Sequence, residues 1–168
     1  MSTETMAQPM PMRSGVALAA LGPIAIGGIV AARAEAITPL FSTPAILFGV
    51  TAATAPALYI ALAATGGAPS LAKVARSFGL AFAAFGVVLA GLILPAAFLS
   101  ASSMSPVTTL AVTTAALGCA GILALVRLAR ELAAPESSVL SSIVFFVWAA
   151  STAGIAGRLW LDLVKEVA

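Results

Sequence analysis

The sequence predicts an all-α protein, a polytopic bundle of transmembrane helices with about five spans. Its 168 residues are 61% hydrophobic and 8% charged, and their mean hydropathy is +1.13. A soluble domain carries about 45–50% apolar and about 25% charged residues. The apolar residues gather in stretches of about 20, the helix length that crosses about 30 Å of hydrocarbon. Composition and stretch length together exclude an ordinary water-soluble enzyme and a disordered chain.

The predicted spans follow one another with short links between them. They are residues 15–32, 44–65, 77–99, 107–126 and 139–157. Backbone polar groups cannot go unpaired in lipid, so stretches this apolar are predicted to be helices. Residues 1–14 carry no helical periodicity and are predicted to be a disordered N-terminal segment. Residues 15–168 are predicted to form the bundle.

The first apolar stretch has an alternative interpretation as a cleaved signal peptide. Arg13 precedes the apolar run, and Ala34, Glu35 and Ala36 follow it, in the order of charged region, hydrophobic region and cleavage site. The run is about 17 residues long, which exceeds the usual hydrophobic region of about 7–15. A retained span is therefore favoured, whereas cleavage would leave a bundle with one span fewer and its N-terminus outside.

The C-terminal end is predicted to lie at the level of the lipid headgroups. Arg158 and Asp162 stand four residues apart, a spacing that lets them pair on one helix face. Trp160 lies between them, and tryptophan is enriched at the membrane interface.

Lysine and arginine are shared unequally between the two sides of a five-span chain. One side collects Arg13, Lys73, Arg76, Arg127 and Arg130, and the other collects Arg33, Arg158 and Lys165. Because positive residues are retained in the cytoplasm, this distribution favours a cytoplasmic N-terminus.

Small residues recur at helical spacing in two of the spans. They are Gly79, Ala83, Gly86 and Ala90 in the third span, and Ala150, Ala153, Gly154 and Gly157 in the fifth. Such stripes let a neighbouring helix approach closely. Ordinary packing inside the bundle is the favoured interpretation, and a docking face for a partner protein is the alternative.

Polar side chains inside the spans are mostly hydroxyls, and no charged residue stands at the middle of any span. Ion or proton coupling usually needs such a charge, so a coupled transporter is not expected. Thr51, Thr54, Pro56 and Tyr59 combine a helix kink with hydrogen-bonding groups. If the protein passes a neutral solute, these four residues are the predicted path.

The chain lacks the side chains that catalytic, metal and cofactor sites need. It has no histidine, and Cys119 is its single cysteine, so zinc sites and histidine-based triads cannot form within it. No run of basic residues could neutralise a series of phosphates, which argues against nucleic acid as a partner. We therefore expect no catalytic residue, no metal and no cofactor.

Several apolar segments resemble those of small bacterial multi-span membrane proteins of unknown function. They are Ile37-Thr38-Pro39-Leu40-Phe41, Pro44-Ala45-Ile46-Leu47-Phe48, Ala57-Leu58-Tyr59 and Gly157-Arg158-Leu159-Trp160. The five-span plan is similar to that of the Yip family of membrane-trafficking proteins. The resemblance implies a bacterial inner membrane location, a cytoplasmic N-terminus, an external C-terminus and no catalytic residues.

Together these features favour a non-enzymatic integral membrane protein, a structural or accessory subunit that acts through helix–helix contacts in the bilayer. Its expected partners are the lipid bilayer and either another membrane protein or a second copy of itself. A channel or uncoupled carrier for a small neutral solute or a lipid is the alternative. An intramembrane enzyme is disfavoured, because paired aspartates, a serine with a histidine, or metal ligands are missing from the spans.

Overall fold

The computed structural model describes residues 12–65, 69–103, 105–132 and 139–167, with side chains from Ala19 to Glu166. Within these ranges the chain forms five helices. They are α1 (Met12–Ala34), α2 (Thr38–Ala64), α3 (Leu71–Ser102), α4 (Pro106–Leu132) and α5 (Val139–Val167). In the part of the chain described, α2 to α5 are long and apolar enough to cross a membrane, and α1 contributes the shorter apolar helix Ala19–Ala34. The predicted all-α helical bundle is confirmed.

The helices are longer than the predicted spans. Helix α2 begins at Thr38 rather than at residue 44, because Pro39 stands in the first turn, where a backbone N–H has no helical partner to lose. Helix α3 contains Lys73 and Arg76, α4 contains Arg130, and α5 continues to Val167. The predicted links were therefore too long. The predicted disordered segment falls largely on residues 1–11, which lie outside the described residues, and α1 begins at Met12.

The order of the helices in space differs from their order in the chain. Helix α1 packs against both α2 and α3, α3 packs extensively against α4, and α2 packs against α5. Helices α4 and α5 follow one another in the chain but have little contact. The bundle therefore runs α5, α2, α1, α3, α4, and its loosest junction lies between α4 and α5.

Glycines hold α1 close to its neighbours. A Cβ atom added to Gly27 would overlap the carbonyl oxygen of Pro39 and lie 3.0 Å from the Cα of Leu40. At Gly22 an added Cβ would lie 2.9 Å from the side chain of Leu89 on α3. Close approach of two membrane helices needs small residues at the contact. In α1 the glycines satisfy that need, and the predicted small-residue stripes had not included them.

Two apolar clusters form the core. The first joins α1, α3, α4 and α5 around Ile26, Leu89, Ala120 and Trp160. The second joins α2, α3, α4 and α5 around Leu58, Ala81, Leu128 and Trp148. Each tryptophan of the chain thus belongs to one of the two clusters, and both lie on α5.

Candidate functional site

Helix α5 is fixed to α2 by polar contacts along one face. The Trp148 indole N–H donates to the Thr54 carbonyl at 2.9 Å, and the Thr152 hydroxyl donates to the Thr54 hydroxyl at 3.1 Å. Further along, the hydroxyls of Thr65 and Ser141 lie 3.1 Å apart. Because Thr65 ends α2 and Ser141 begins α5, the two helices are antiparallel. These contacts determine which face of α5 points away from α2.

Near its other end, α5 reaches α4 through its second tryptophan. The Trp160 indole N–H donates to the Thr114 hydroxyl at 2.8 Å, and Trp160 is 6% exposed. The sequence predicted Trp160 at the lipid headgroups, and the structure places its ring in the core. Since Trp148 holds α2 and Trp160 holds α4, α5 bridges two helices that do not adjoin in the bundle order.

The small-residue stripe of α5 lies on the outside of the bundle. Ala150, Ala153, Gly154 and Gly157 are all exposed. A Cβ atom added to Gly154 or to Gly157 would meet nothing within 4 Å. We call these four residues the α5 face. In the described part of the chain, no helix covers it.

The stripe of α3 has a different position. Gly86 is buried, and Gly79, Ala83 and Ala90 are half-buried, on a helix that packs against both α1 and α4. This burial matches packing inside the bundle. Two stripes with the same pattern of small residues therefore have different surroundings.

An apolar chamber of about 150 Å³ lies among α2, α3, α4 and α5. Its wall is largely aromatic and aliphatic and includes Phe48, Phe78, Phe82, Phe85, Leu128 and Trp148. The rings pack on one another, with centroids 5.3 Å apart for Phe48 and Phe82 and 5.9 Å apart for Phe78 and Trp148. We call this space the inner chamber. The phenylalanine spacing in the third span was visible in the sequence, but the helices that it would meet were not.

A second apolar space of about 290 Å³ adjoins the inner chamber between α2, α4 and α5. Its wall includes Ile46, Gly118, Ile122, Gly157 and Trp160. Gly118, Ile122 and Gly157 are exposed, so this space opens at the loose junction of α4 and α5. We call it the outer groove. The inner chamber and the outer groove share five wall residues, Leu47, Gly121, Leu125, Ala153 and Ala156, and therefore lie side by side.

The four residues of the predicted solute path do not share one wall. Thr51 lines the inner chamber, and its hydroxyl donates to the Leu47 carbonyl at 2.7 Å. The Thr54 hydroxyl donates to the Val50 carbonyl at 2.9 Å. Pro56 is exposed and Tyr59 is half-buried, and neither lines the inner chamber or the outer groove. Thr51 and Thr54 lie on the side of α2 that faces α5. Pro56 and Tyr59 do not line a cavity with them, so the four residues do not form one path.

The ion pairs of the described residues lie away from this cavity. Arg158 pairs with Asp162 at 3.1 Å, as the spacing of these two residues had predicted. Arg127 pairs with Glu131 at 2.8 Å, a pair that was not predicted from the sequence. Arg33 at the end of α1 donates to the Ser103 carbonyl after α3. No charged residue lines the inner chamber or the outer groove as the structure describes them.

Comparisons with protein-family models, with curated proteins and with solved structures find no match to this chain. The resemblance to the Yip family therefore stays a prediction.

Proposed function

We propose that this membrane protein is a non-enzymatic structural or accessory subunit that binds another transmembrane helix through the α5 face. The bound helix belongs to a partner membrane protein or to a second copy of this chain. The observation that carries the proposal is the open space at Gly154, which is exposed on the outside of the bundle and lines neither the inner chamber nor the outer groove.

The spacing on the α5 face suits helix docking. Ala150 and Gly154 stand four residues apart, as do Ala153 and Gly157. Two small residues at this spacing let helix backbones approach closely, and van der Waals packing then drives association, since lipid gives no hydrophobic drive between helices. On α3 the small residues are buried or half-buried against other helices of the bundle. The α5 face has the same chemistry and no described neighbour.

We further propose a location in the bacterial inner membrane with a cytoplasmic N-terminus. Lys73 and Arg76 open α3, and Arg127 and Arg130 close α4, so these four cations share one end of the antiparallel bundle. Arg33, Arg158 and Lys165 share the other end. The excess of cations at the first end supports its placement in the cytoplasm.

Substitution on the α5 face tests the proposal. The full chain with Gly154→Leu is compared with Gly49→Leu, a matched control at another exposed helical glycine whose added Cβ meets nothing within 4 Å. Both proteins are extracted from native membranes in mild detergent, and the mass of the particle is measured. We expect Gly154→Leu to reduce the particle to one copy of this chain, whereas Gly49→Leu keeps the additional subunit. A single-copy particle from the unmodified protein would contradict the proposal.

A further inference from the structure

The cavity formed by the adjoining inner chamber and outer groove has few polar groups in its wall, and the hydroxyls among them are those of four threonines, each already in a hydrogen bond. The Thr51 hydroxyl donates to the Leu47 carbonyl, and the Thr152 hydroxyl donates to Thr54. In the outer groove, the Thr43 hydroxyl donates to the Pro39 carbonyl at 2.7 Å. The Thr114 hydroxyl accepts from Trp160 there. Water needs two to four polar partners to occupy a protein cavity, so a wall of this kind favours an apolar occupant.

The cavity is elongated along the helices. Its wall on α4 runs from Thr114 to Leu128, which is about 21 Å at about 1.5 Å per residue. Half of the hydrocarbon core of a bilayer is about 15 Å thick. The cavity therefore has the length of an extended hydrocarbon chain rather than the compact shape of a small solute.

The opening of the cavity faces lipid. It lies between α4 and α5, two helices that are long and apolar enough to span a membrane. Gly118 and Gly121 on α4 and Gly157 on α5 leave it unobstructed, because a Cβ added at any of them would meet nothing within 4 Å. A hydrocarbon chain can thus enter sideways without leaving the apolar part of the bilayer.

We propose that the inner chamber and the outer groove together hold one acyl chain of a membrane lipid. The chain enters between α4 and α5, follows the outer groove and ends beside the rings of Phe78, Phe82 and Trp148. An apolar cavity of roughly 150 Å³ already binds a benzene-sized molecule, and the outer groove adds a second apolar space beside the inner chamber. The site goes beyond docking at the α5 face, although Ala153 and Gly157 belong both to that face and to the wall of the cavity.

Trp148 reports on the occupant directly. The chain has two tryptophans, so Trp160→Phe leaves Trp148, which is 8% exposed and lines the inner chamber. The full chain with this substitution is reconstituted in vesicles of phosphatidylcholine brominated on its acyl chains. Bromine quenches indole fluorescence at short range. We expect Trp148 to be quenched strongly in the brominated vesicles relative to unbrominated ones.

Cavity-filling variants distinguish quenching of Trp148 by an acyl chain bound in the cavity from quenching by the lipid that surrounds the bundle. We expect Gly121→Leu to lower the quenching of Trp148 roughly twofold or more, because a filled cavity has no room for the chain. Gly91→Leu is the matched control on the outside of α3, since an added Cβ there also meets nothing within 4 Å. It should leave the quenching unchanged. Gly118→Leu repeats the test at the opening if Gly121→Leu fails to fold.

Three results would overturn the acyl-chain site. They are weak quenching of Trp148 by brominated lipid, equal quenching in Gly121→Leu or Gly118→Leu and in Gly91→Leu, and efficient quenching of Trp148 by aqueous acrylamide, which would mean a wet cavity. Gly154 lines neither the inner chamber nor the outer groove, so loss of partner binding in Gly154→Leu with unchanged Trp148 quenching would support both proposals.

Discussion

The Trp148 indole N–H lies 2.9 Å from the backbone carbonyl oxygen of Thr54, across the interface between α5 and α2. The same Thr54 accepts a second hydrogen bond through its hydroxyl from Thr152. A carbonyl in a helix has a second lone pair, so Thr54 can bind Trp148 while staying in α2. One residue of α2 thus orients two turns of α5.

Replacing Trp148 by phenylalanine should destabilise the bundle. The change removes the hydrogen bond to Thr54 and leaves space beside Phe78, so we expect a loss of roughly 1–3 kcal/mol in the free energy of unfolding. Denaturant titration of the purified protein in detergent, followed by circular dichroism, measures it. Phe146→Leu, at a position 71% exposed on the same helix, is the control with little expected effect. Equal stability of the Trp148→Phe and unmodified proteins would contradict the role of this contact.

Alanine at Gly27 should separate α1 from α2. The added methyl group would overlap the Pro39 carbonyl, a backbone atom that cannot rotate away, so we expect a loss of roughly 1–3 kcal/mol from overpacking. At Gly49 the same change meets nothing within 4 Å and should stabilise α2 by up to about 1 kcal/mol through helix propensity. Thermal unfolding of the two variants side by side shows the difference. A Gly27→Ala protein as stable as Gly49→Ala would exclude the close contact.

Two buried hydroxyls near the α3–α4 turn should be dispensable. Among the described residues, Ser100 Oγ and Thr109 Oγ1 are buried and have no hydrogen-bond partner. Removing a buried group that has no partner relieves its desolvation penalty, so Ser100→Ala and Thr109→Val should leave stability unchanged or raise it. The control is Thr113→Val, because the Thr113 hydroxyl donates to the Thr109 carbonyl at 2.8 Å. If both variants unfold more easily than Thr113→Val, the hydroxyls have partners in the membrane.

The two ends of the chain should lie on opposite sides of the membrane. Reporter domains fused before Met1 and after Ala168 measure this in intact cells. If α1 crosses the membrane along with α2 to α5, the five crossings and the distribution of cations predict a cytoplasmic N-terminal reporter and an external C-terminal one. A shortened protein that has lost its N-terminal reporter would instead support the signal-peptide interpretation of the first apolar stretch.

Hydropathy predicted the helices well because each span must satisfy its backbone hydrogen bonds by itself. It predicted their ends less well. Pro39 is compatible with a first turn, and Lys73 and Arg76 are compatible with a helix that continues into the interface, so neither marks the end of a helix.

The lateral arrangement could not be predicted from the pattern of residues. The small residues of α3 and of α5 look alike in the sequence, yet Gly86 is buried and Gly154 is exposed. Which stripe meets a neighbour depends on the order of helices around the bundle, and hydropathy carries no information on that order. The predicted solute path has the same limitation. It grouped four residues because they are near one another in α2, whereas the wall of the observed cavity is formed by residues of four helices.

The most direct test is whether the middle of α3 lies in lipid. Val87, which is 45% exposed on the surface of the bundle, is changed to cysteine in a Cys119→Ser background, and Lys73→Cys near the start of the same helix is the control. Membrane fragments that are open to solvent on both faces are treated with a water-soluble thiol reagent. A membrane-spanning bundle predicts that Lys73→Cys reacts and Val87→Cys does not, because lipid excludes the reagent and disfavours the thiolate. Equal labelling of the two cysteines would contradict it.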